Sequence, residues 1–380
     1  MPRILIAILL GVLSGQILSL QWVRIFATFN AIFGQFLGFM IPLIIIGLVT
    51  PAIADIGKST GKLLVITLVI AYADTVFSGL LAYGTGSWLF PDMIAGASEV
   101  TDIKKATAIE PYFTVNIPPM LDVMAALVFA FMAGLGIAYG NCRTLKECFK
   151  EFRDIVSKTI MKAIIPLLPL YIFGIFLCMT YMGQAYRIML VFVQIIVVIF
   201  ILHFLILIYQ FSIAGVLVKH NPFRLLWNML PAYLTALGTA SSAATIPVTL
   251  KCSLRNGVHE GIAGFAVPLC ATIHMSGSAM KITACALAIC LLHGIPHGLG
   301  LFLNFIMLLA IMMVAAPGVP GGAIMAALVP LASVLGFGVT DQALMIALYI
   351  AMDSFGTACN VTGDGAIALV VDRYFKKTIA

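Results

Sequence analysis

Charge is what this chain has least of. Only 9% of its 380 residues are Asp, Glu, Lys or Arg, while 62% are hydrophobic, and its mean hydropathy is +1.13. A soluble domain carries about 25% charged residues because it must present a wet surface. This chain cannot cover such a surface, which excludes a soluble enzyme, a disordered protein and a nucleic-acid binder. No Cys-x-x-Cys pair occurs among the 8 cysteines. Cys178, Cys270, Cys285, Cys290 and Cys359 lie in apolar runs, and Cys142 and Cys148 in a basic loop, so they read as small buried hydrophobes and reduced thiols. No A-x-A cleavage site follows the apolar run that starts at Ile4, so that run reads as a retained first span. Barrel strands are excluded as well, because they alternate in polarity and are about 10 residues long.

What the chain does contain is a series of apolar runs near or beyond the roughly 20 residues that a helix needs to cross a bilayer. After the first, spans are predicted at 29–54, 61–88, 119–139, 160–182, 187–217, 260–293 and 340–371. Two further apolar stretches, 223–255 and 298–337, are interrupted by Pro and Gly in their middles. Treating both as re-entrant, with the N-terminus inside, leaves Arg24, Lys104, Lys105 and Arg187 outside and sixteen Lys and Arg inside; of the 21, Lys281 alone stays within the bilayer. That is a strong positive-inside asymmetry, and making either broken stretch a full span would spoil it. The predicted fold is therefore an all-α polytopic membrane protein of eight transmembrane helices plus two re-entrant helical hairpins, in the plasma (inner) membrane with both termini cytoplasmic. The polar insert 91–119 reads as a solvated external loop. Residues 141–158 alternate in sign at helical spacing and read as a cytoplasmic helix.

The second half carries one pattern twice. A broken hairpin around 239–247 precedes a helix with a predicted interruption at 272–278; a second around 315–322 precedes a helix with a predicted interruption at 357–364. Entry from opposite sides makes this an inverted repeat. Non-helical backbone at membrane depth is tolerated only where protein buries it or a cavity hydrates it. Paired interrupted segments point to a binding site near the midplane.

Asp74, Asp353, Asp364 and Lys281 fall inside apolar segments, where each charge costs about 2.5–3.5 kcal/mol unless paired, hydrated or cation-bound. Asp364 follows Asn360 by four residues, so carboxylate and amide share a helix face and offer hard oxygens to a desolvated Na⁺. Asp353, two turns earlier on that face, can bind an ammonium. Ser241 and Ser242, before Thr245 and Pro247, put hydroxyls and backbone N–H groups where a carboxylate can be held. The bare backbone of 318–322 suits a gate. His274, seven residues before Lys281, can titrate, while His203 reads as a core histidine.

The segments SSAATIPVT at 241–249, PGVPGGAIM at 317–325 and NVTGD at 360–364, in this order, resemble the dicarboxylate/amino acid:cation symporter family of glutamate transporter homologues and serine/threonine transporters. The resemblance is specific from about residue 220 onward. It implies a homotrimer in the lipid bilayer. Scaffold helices would occupy 1–57 and 119–186, an external loop 91–118, and a mobile transport domain 58–90 with 187–377. It implies substrate contacts at Ser241, Ser242, Ser278, Val319, Gly322, Asp353, Gly356, Thr357 and Asn360. The implied cation ligands are Asn360, Asp364, the Cys270 backbone, His274, Asp74, Thr75, Ser276 and Thr272; Lys281 and His274, which the family pattern does not supply, are candidates for internal charge or proton coupling by their own chemistry. It further implies no cofactor beyond Na⁺ or H⁺ as coupling ion, and a small amino acid as partner rather than a nucleic acid. The Asp353 position recognises the substrate amino group in the family's amino-acid carriers and is uncharged in its dicarboxylate carriers.

Two departures narrow this reading. Acidic-substrate members carry an Arg four residues before the Asn of NVTGD; here that position is Gly356, and the alternative Arg position at the first hairpin tip is Ala240. The motif Asn-Met-Asp-Gly-Thr is replaced by His274-Met-Ser-Gly-Ser278, with Asp74 near where the family has a small hydroxyl. The expected function is cation-coupled symport of serine, threonine or alanine, with an acidic amino acid or dicarboxylate as the alternative. An intramembrane aspartyl protease using Asp74 and Asp364 fails because Val361 stands where its motif needs Gly. The chain lacks the ring-forming charged or TVGYG-type filter that a passive channel needs.

Overall fold

A computed structural model describes residues 2–56, 61–98, 109–121, 123–140, 142–183, 185–316 and 321–379. Val319, and Lys58, Lys104 and Lys105 of the charge count, lie outside them. Every element among the described residues is helical, as a bilayer requires of a chain that must satisfy its backbone polar groups internally.

The first half contains α1 (Pro2–Gly15), α2 (Leu20–Ile56), α3 (Gly61–Ser98), α4 (Val123–Gly140), α5 (Arg143–Thr159), a π turn at Ile160–Ile164 and α6 (Ile165–Tyr181). α7 (Ala185–Val218) leads into a first hairpin of α8 (Pro222–Asn228), α9 (Leu230–Thr239) and α10 (Ser242–Arg255). A broken helix follows, α11 (Glu260–Ile273) and α12 (Ser276–His293). The second hairpin is α13 (Leu299–Ala315) and α14 (Gly322–Ser333), before α15 (Val339–Ala351) and α16 (Asp353–Ile379).

Four helical segments are long and apolar enough to cross a membrane: Leu20–Pro51, Leu63–Ala95, Val191–Val218 and Glu260–His293. Two bent pairs, Arg143–Ile164 with Pro166–Tyr181 and Val339–Ala351 with Asp353–Phe375, bring the number to 6. α1, with 14 residues, rises only about 21 Å, short of a hydrocarbon core of about 30 Å. α3 runs ten residues past the predicted end at 88. The described end of the insert packs on α2: the Tyr112 N–H donates to Thr28 Oγ1 (2.9 Å) and Arg24 Nε to the Glu110 carbonyl (3.0 Å).

α1 packs on α6, and α2 on α4, α5 and α6; α3 packs on α12, α7 and α13, and α16 is surrounded by α7, α9, α10, α11 and α12. Every residue from Ser276 to Cys290 of α12 is buried, as expected of a helix without a polar face. The first hairpin turns at Ala240, which is left-handed (φ 48°), and Ser241, whose hydroxyl caps α10 by accepting the Ala244 N–H (3.3 Å).

The first predicted interruption is present: α11 ends at Ile273, His274 is extended, Met275 is non-helical (φ −137°, ψ 46°), and α12 starts at Ser276. The second is misplaced. Residues 357–364 lie inside a continuous α16, and the break falls at Met352 (φ −113°, ψ 10°), where the axis bends by 65°. A helical glycine costs only about 1 kcal/mol, and residues 358–364 are buried among neighbouring helices that hold the turn. The sequence signal for the true start was Asp353, an acidic residue in a first helical turn.

Together α11 and α12 extend about 50 Å, so Lys251, near the Glu260 end, and His297, past the His293 end, should lie on opposite membrane faces. Both are exposed. With Cys142 and Cys148 replaced by Ser, an impermeant thiol reagent should label Lys251→Cys and His297→Cys from opposite sides. Labelling from one side would overturn the re-entrant topology.

Candidate functional site

Asp353, Gly356, Asn360 and Asp364 recur at helical spacing on α16, and α12 begins against that face. A Cβ on Gly277 would sit 2.8 Å from the Gly356 carbonyl and 2.6 Å from Cys359 Cβ, so the two backbones meet here only because residue 277 has no side chain. The approach lets the Ser278 N–H donate to Asn360 Oδ1 (3.2 Å) and Asn360 Nδ2 donate to Ser278 Oγ (3.1 Å). Ser278 Oγ also lies 3.1 Å from the Tyr349 hydroxyl.

One turn further along α16, the break between α11 and α12 inserts His274 between two carboxylates. Nδ1 lies 2.9 Å from Asp364 Oδ1 and Nε2 lies 2.8 Å from Asp74 Oδ2. Both ring nitrogens therefore need a proton between themselves and an oxygen. Whether those protons make an imidazolium between two carboxylates or a neutral ring beside one carboxylic acid, the three side chains sum to one negative charge. Gln210 of α7 donates through Nε2 to Asp74 Oδ2 (2.6 Å) and Ser276 Oγ (3.1 Å), and Ser78 of α3 donates to the Ser276 carbonyl (2.9 Å). Asp364 Oδ2 and Gln210 Oε1 are buried acceptors with no hydrogen-bond partner. Orphaned hard oxygens beside a net negative charge are the chemistry that fits a monovalent cation. A pocket of about 240 Å³ between α3, α7 and α16, with Asp74, Phe77, Tyr209 and Gln210 on its walls, reaches this cluster.

At the start of α16, Asp353 Oδ2 accepts the Gly321 N–H from the turn between α13 and α14 (2.8 Å), and Asp353 Oδ1 lies 3.4 Å from Lys281 Nζ. Lys281 is fully buried, donates to the Met352 carbonyl (3.3 Å), and sits 3.5 Å above the centre of the Tyr349 ring. Its stem fills the groove left by Gly356, where a Cβ would lie 2.8 Å from Lys281 Cε and 2.7 Å from Nζ.

The remaining predicted residues are distributed as follows. Thr75 is buried and donates to the Ala71 carbonyl (2.8 Å). The Cys270 carbonyl accepts the His274 N–H that closes α11 (2.8 Å). Thr272 is exposed and bonds back to the Leu269 carbonyl (2.7 Å), apart from the cluster. Thr357 donates to the Asp353 carbonyl (2.9 Å), Gly322 opens α14, and Ser242 is buried at the start of α10. His203 is buried with Nε2 3.1 Å from the Gly277 carbonyl. Sequence reasoning missed Gln210, Ser78 and Tyr349. Gln210 had a signal: an amide within a very apolar run is a functional candidate by default. Nothing in the sequence distinguishes Tyr349.

The protease alternative is not compatible with this geometry, since Asp74 and Asp364 are bridged by one imidazole instead of facing each other. Helices broken beside buried carboxylates and an imidazole within apolar helices define a membrane carrier. The chain belongs to the sodium:dicarboxylate symporter family, whose sequence profile it matches over residues 1–374, a family of transporters and not of enzymes. It is 28% identical to an excitatory amino acid transporter of Caenorhabditis elegans, over 67% of this chain and 52% of that protein. It is 34% identical to excitatory amino acid transporter 3 of Homo sapiens over 43% of this chain and 31% of that protein. Neutral amino acid transporter B(0) of Mus musculus is 32% identical over 42% of this chain and 29% of that protein. The chain thus spans about half the length, or less, of these curated relatives.

Proposed function

We propose that this chain is a cation-coupled symporter of a small neutral amino acid, serine, threonine or alanine, working by alternating access. In this reading α3 and α7–α16 form the moving transport domain, and α1, α2 and α4–α6 the scaffold. Eight spans, two re-entrant hairpins, cytoplasmic termini and a trimer belong to the same reading. Asp353 receives the substrate ammonium, and the first hairpin tip at Ser241 and Ser242 receives its carboxylate. Asp74, His274, Asn360 and Asp364, with Gln210, serve the coupling ion, Na⁺ or H⁺.

The observation that carries the substrate class is the state of Lys281. In the empty site its three donors face Asp353, the Met352 carbonyl and the Tyr349 ring, and two of these acceptors stay with it when the substrate ammonium takes Asp353. With Gly356 in place of an Arg, no guanidinium fork faces a second substrate carboxylate. Asp353 and Lys281 cancel, so a zwitterion keeps the buried site balanced. An acidic substrate adds one charge, and leaving it unpaired in a dry site costs several kcal/mol. A shortfall of about 3–4 kcal/mol is a factor of several hundred in affinity. The acidic alternative is favoured by one observation, the position of the Lys281 ammonium at Gly356, since a displaced Lys281 would meet a distal carboxylate there. Competition separates the two. Excess aspartate should barely reduce binding of labelled serine or alanine; strong inhibition by aspartate with none by neutral amino acids would reverse the assignment.

A further inference from the structure

The pairing of Lys281 with Asp353 has a use beyond substrate choice. For a carrier to return after unloading, its empty site must close and cross the low-dielectric part of the membrane. An unpaired carboxylate opposes that step. Asp353 is 4% exposed and links the second hairpin to α16, accepting the Gly321 N–H from the turn between α13 and α14 while it begins α16. On its other oxygen stands Lys281, an ammonium tethered to α12 and fitted into the groove that Gly356 leaves open.

Resting on the reading of Asp353 as the ammonium site, we infer that Lys281 is a built-in counter-cation that neutralises Asp353 in the empty carrier, so that the return step needs no counter-transported cation. The Lys281–Asp353 distance of 3.4 Å is longer than the 2.7–2.9 Å of a tight charge-assisted bond, which suits a contact that incoming substrate replaces. When the substrate ammonium takes Asp353, Lys281 keeps the Met352 carbonyl and the Tyr349 ring, two neutral acceptors that hold a cation in place. Asp353, Lys281 and a zwitterion sum to zero, and so do Asp353 and Lys281 alone. Loaded and empty carriers then present the same charge to the membrane at this end of the site.

The test compares two modes of the full chain in proteoliposomes whose lumen contains N-methylglucamine and, in both arms, the same low concentration of the coupling ion as its only cations: net uptake of labelled serine or alanine into substrate-free vesicles, and exchange against the same unlabelled amino acid inside. The wild type should take up substrate net at a rate within about threefold of exchange. Wild-type exchange with net uptake at least tenfold slower overturns the inference without touching the substrate assignment. Lys281→Met should lower the ratio of net uptake to exchange at least tenfold, and Lys281→Gln should do the same while keeping a donor near Met352; an unchanged ratio in either also overturns it. If only acidic substrates move, the underlying reading of the site fails and the inference fails with it. The wild-type arm decides even where neither variant folds.

Discussion

Asp364→Asn is expected to yield a folded carrier whose uptake no longer follows the driving cation gradient. In the wild type, Asp74, His274 and Asp364 sum to one negative charge, and the unpartnered Asp364 Oδ2 is the buried oxygen free to meet a cation. The amide keeps the volume and can still accept from His274 Nδ1, while His274 Nε2 keeps Asp74 at 2.8 Å. The remaining pair is balanced, so the large penalty for stranding a buried charge does not arise. What disappears is the net charge. One unit charge at 4 Å is worth about 4 kcal/mol at an effective dielectric of 20, an upper bound of roughly a thousandfold in cation affinity. A loss of at least about tenfold should remain after screening. Uptake with Na⁺ and pH gradients imposed separately measures it, and unchanged dependence on both would remove Asp364 from the coupling site.

The second large effect needs two substitutions. Gly356→Arg alone should fail, because its Cβ would lie 2.7 Å from Lys281 Nζ and two cations would share a closed space. Gly356→Arg with Lys281→Met keeps one cation but changes its shape, from a point charge held by the Met352 carbonyl and the Tyr349 ring to a planar fork that can hold a carboxylate through two parallel bonds. Charge-assisted hydrogen bonds contribute about 1.5–3 kcal/mol each. After the cost of ordering the long side chain, a gain of about 2–3 kcal/mol for aspartate over serine is expected, or roughly 30- to 150-fold. Competition binding on the purified double variant reads this ratio directly. A ratio equal to the wild type's would show that residue 356 does not face the substrate side chain.

The helical membrane class, the breaks between α9 and α10 and at His274, and the intramembrane carboxylates were legible because each is a local signal: low charge, an interruption of an apolar helix, or a polar residue in an apolar run. The second break was not. Thr-Gly in 357–364 looks like a breaker, yet packing on α7, α9, α10, α11 and α12 keeps α16 helical, and the chain bends at Met352 instead.

By itself the sequence determined how much of this protein must be buried, in which secondary structure, and which ionisable groups would need partners, since hydrophobicity and charge are properties of residues. Which partners they take was decided by tertiary structure. Asp74 and Asp364, 290 positions apart, reach one imidazole only because α3 and α16 both pack beside the α11–α12 break. Lys281 reaches Asp353 only because Gly277 and Gly356 let α12 and α16 approach to backbone contact. In a medium without water to take up a stray charge, those distances select the partner, and linear spacing does not encode them.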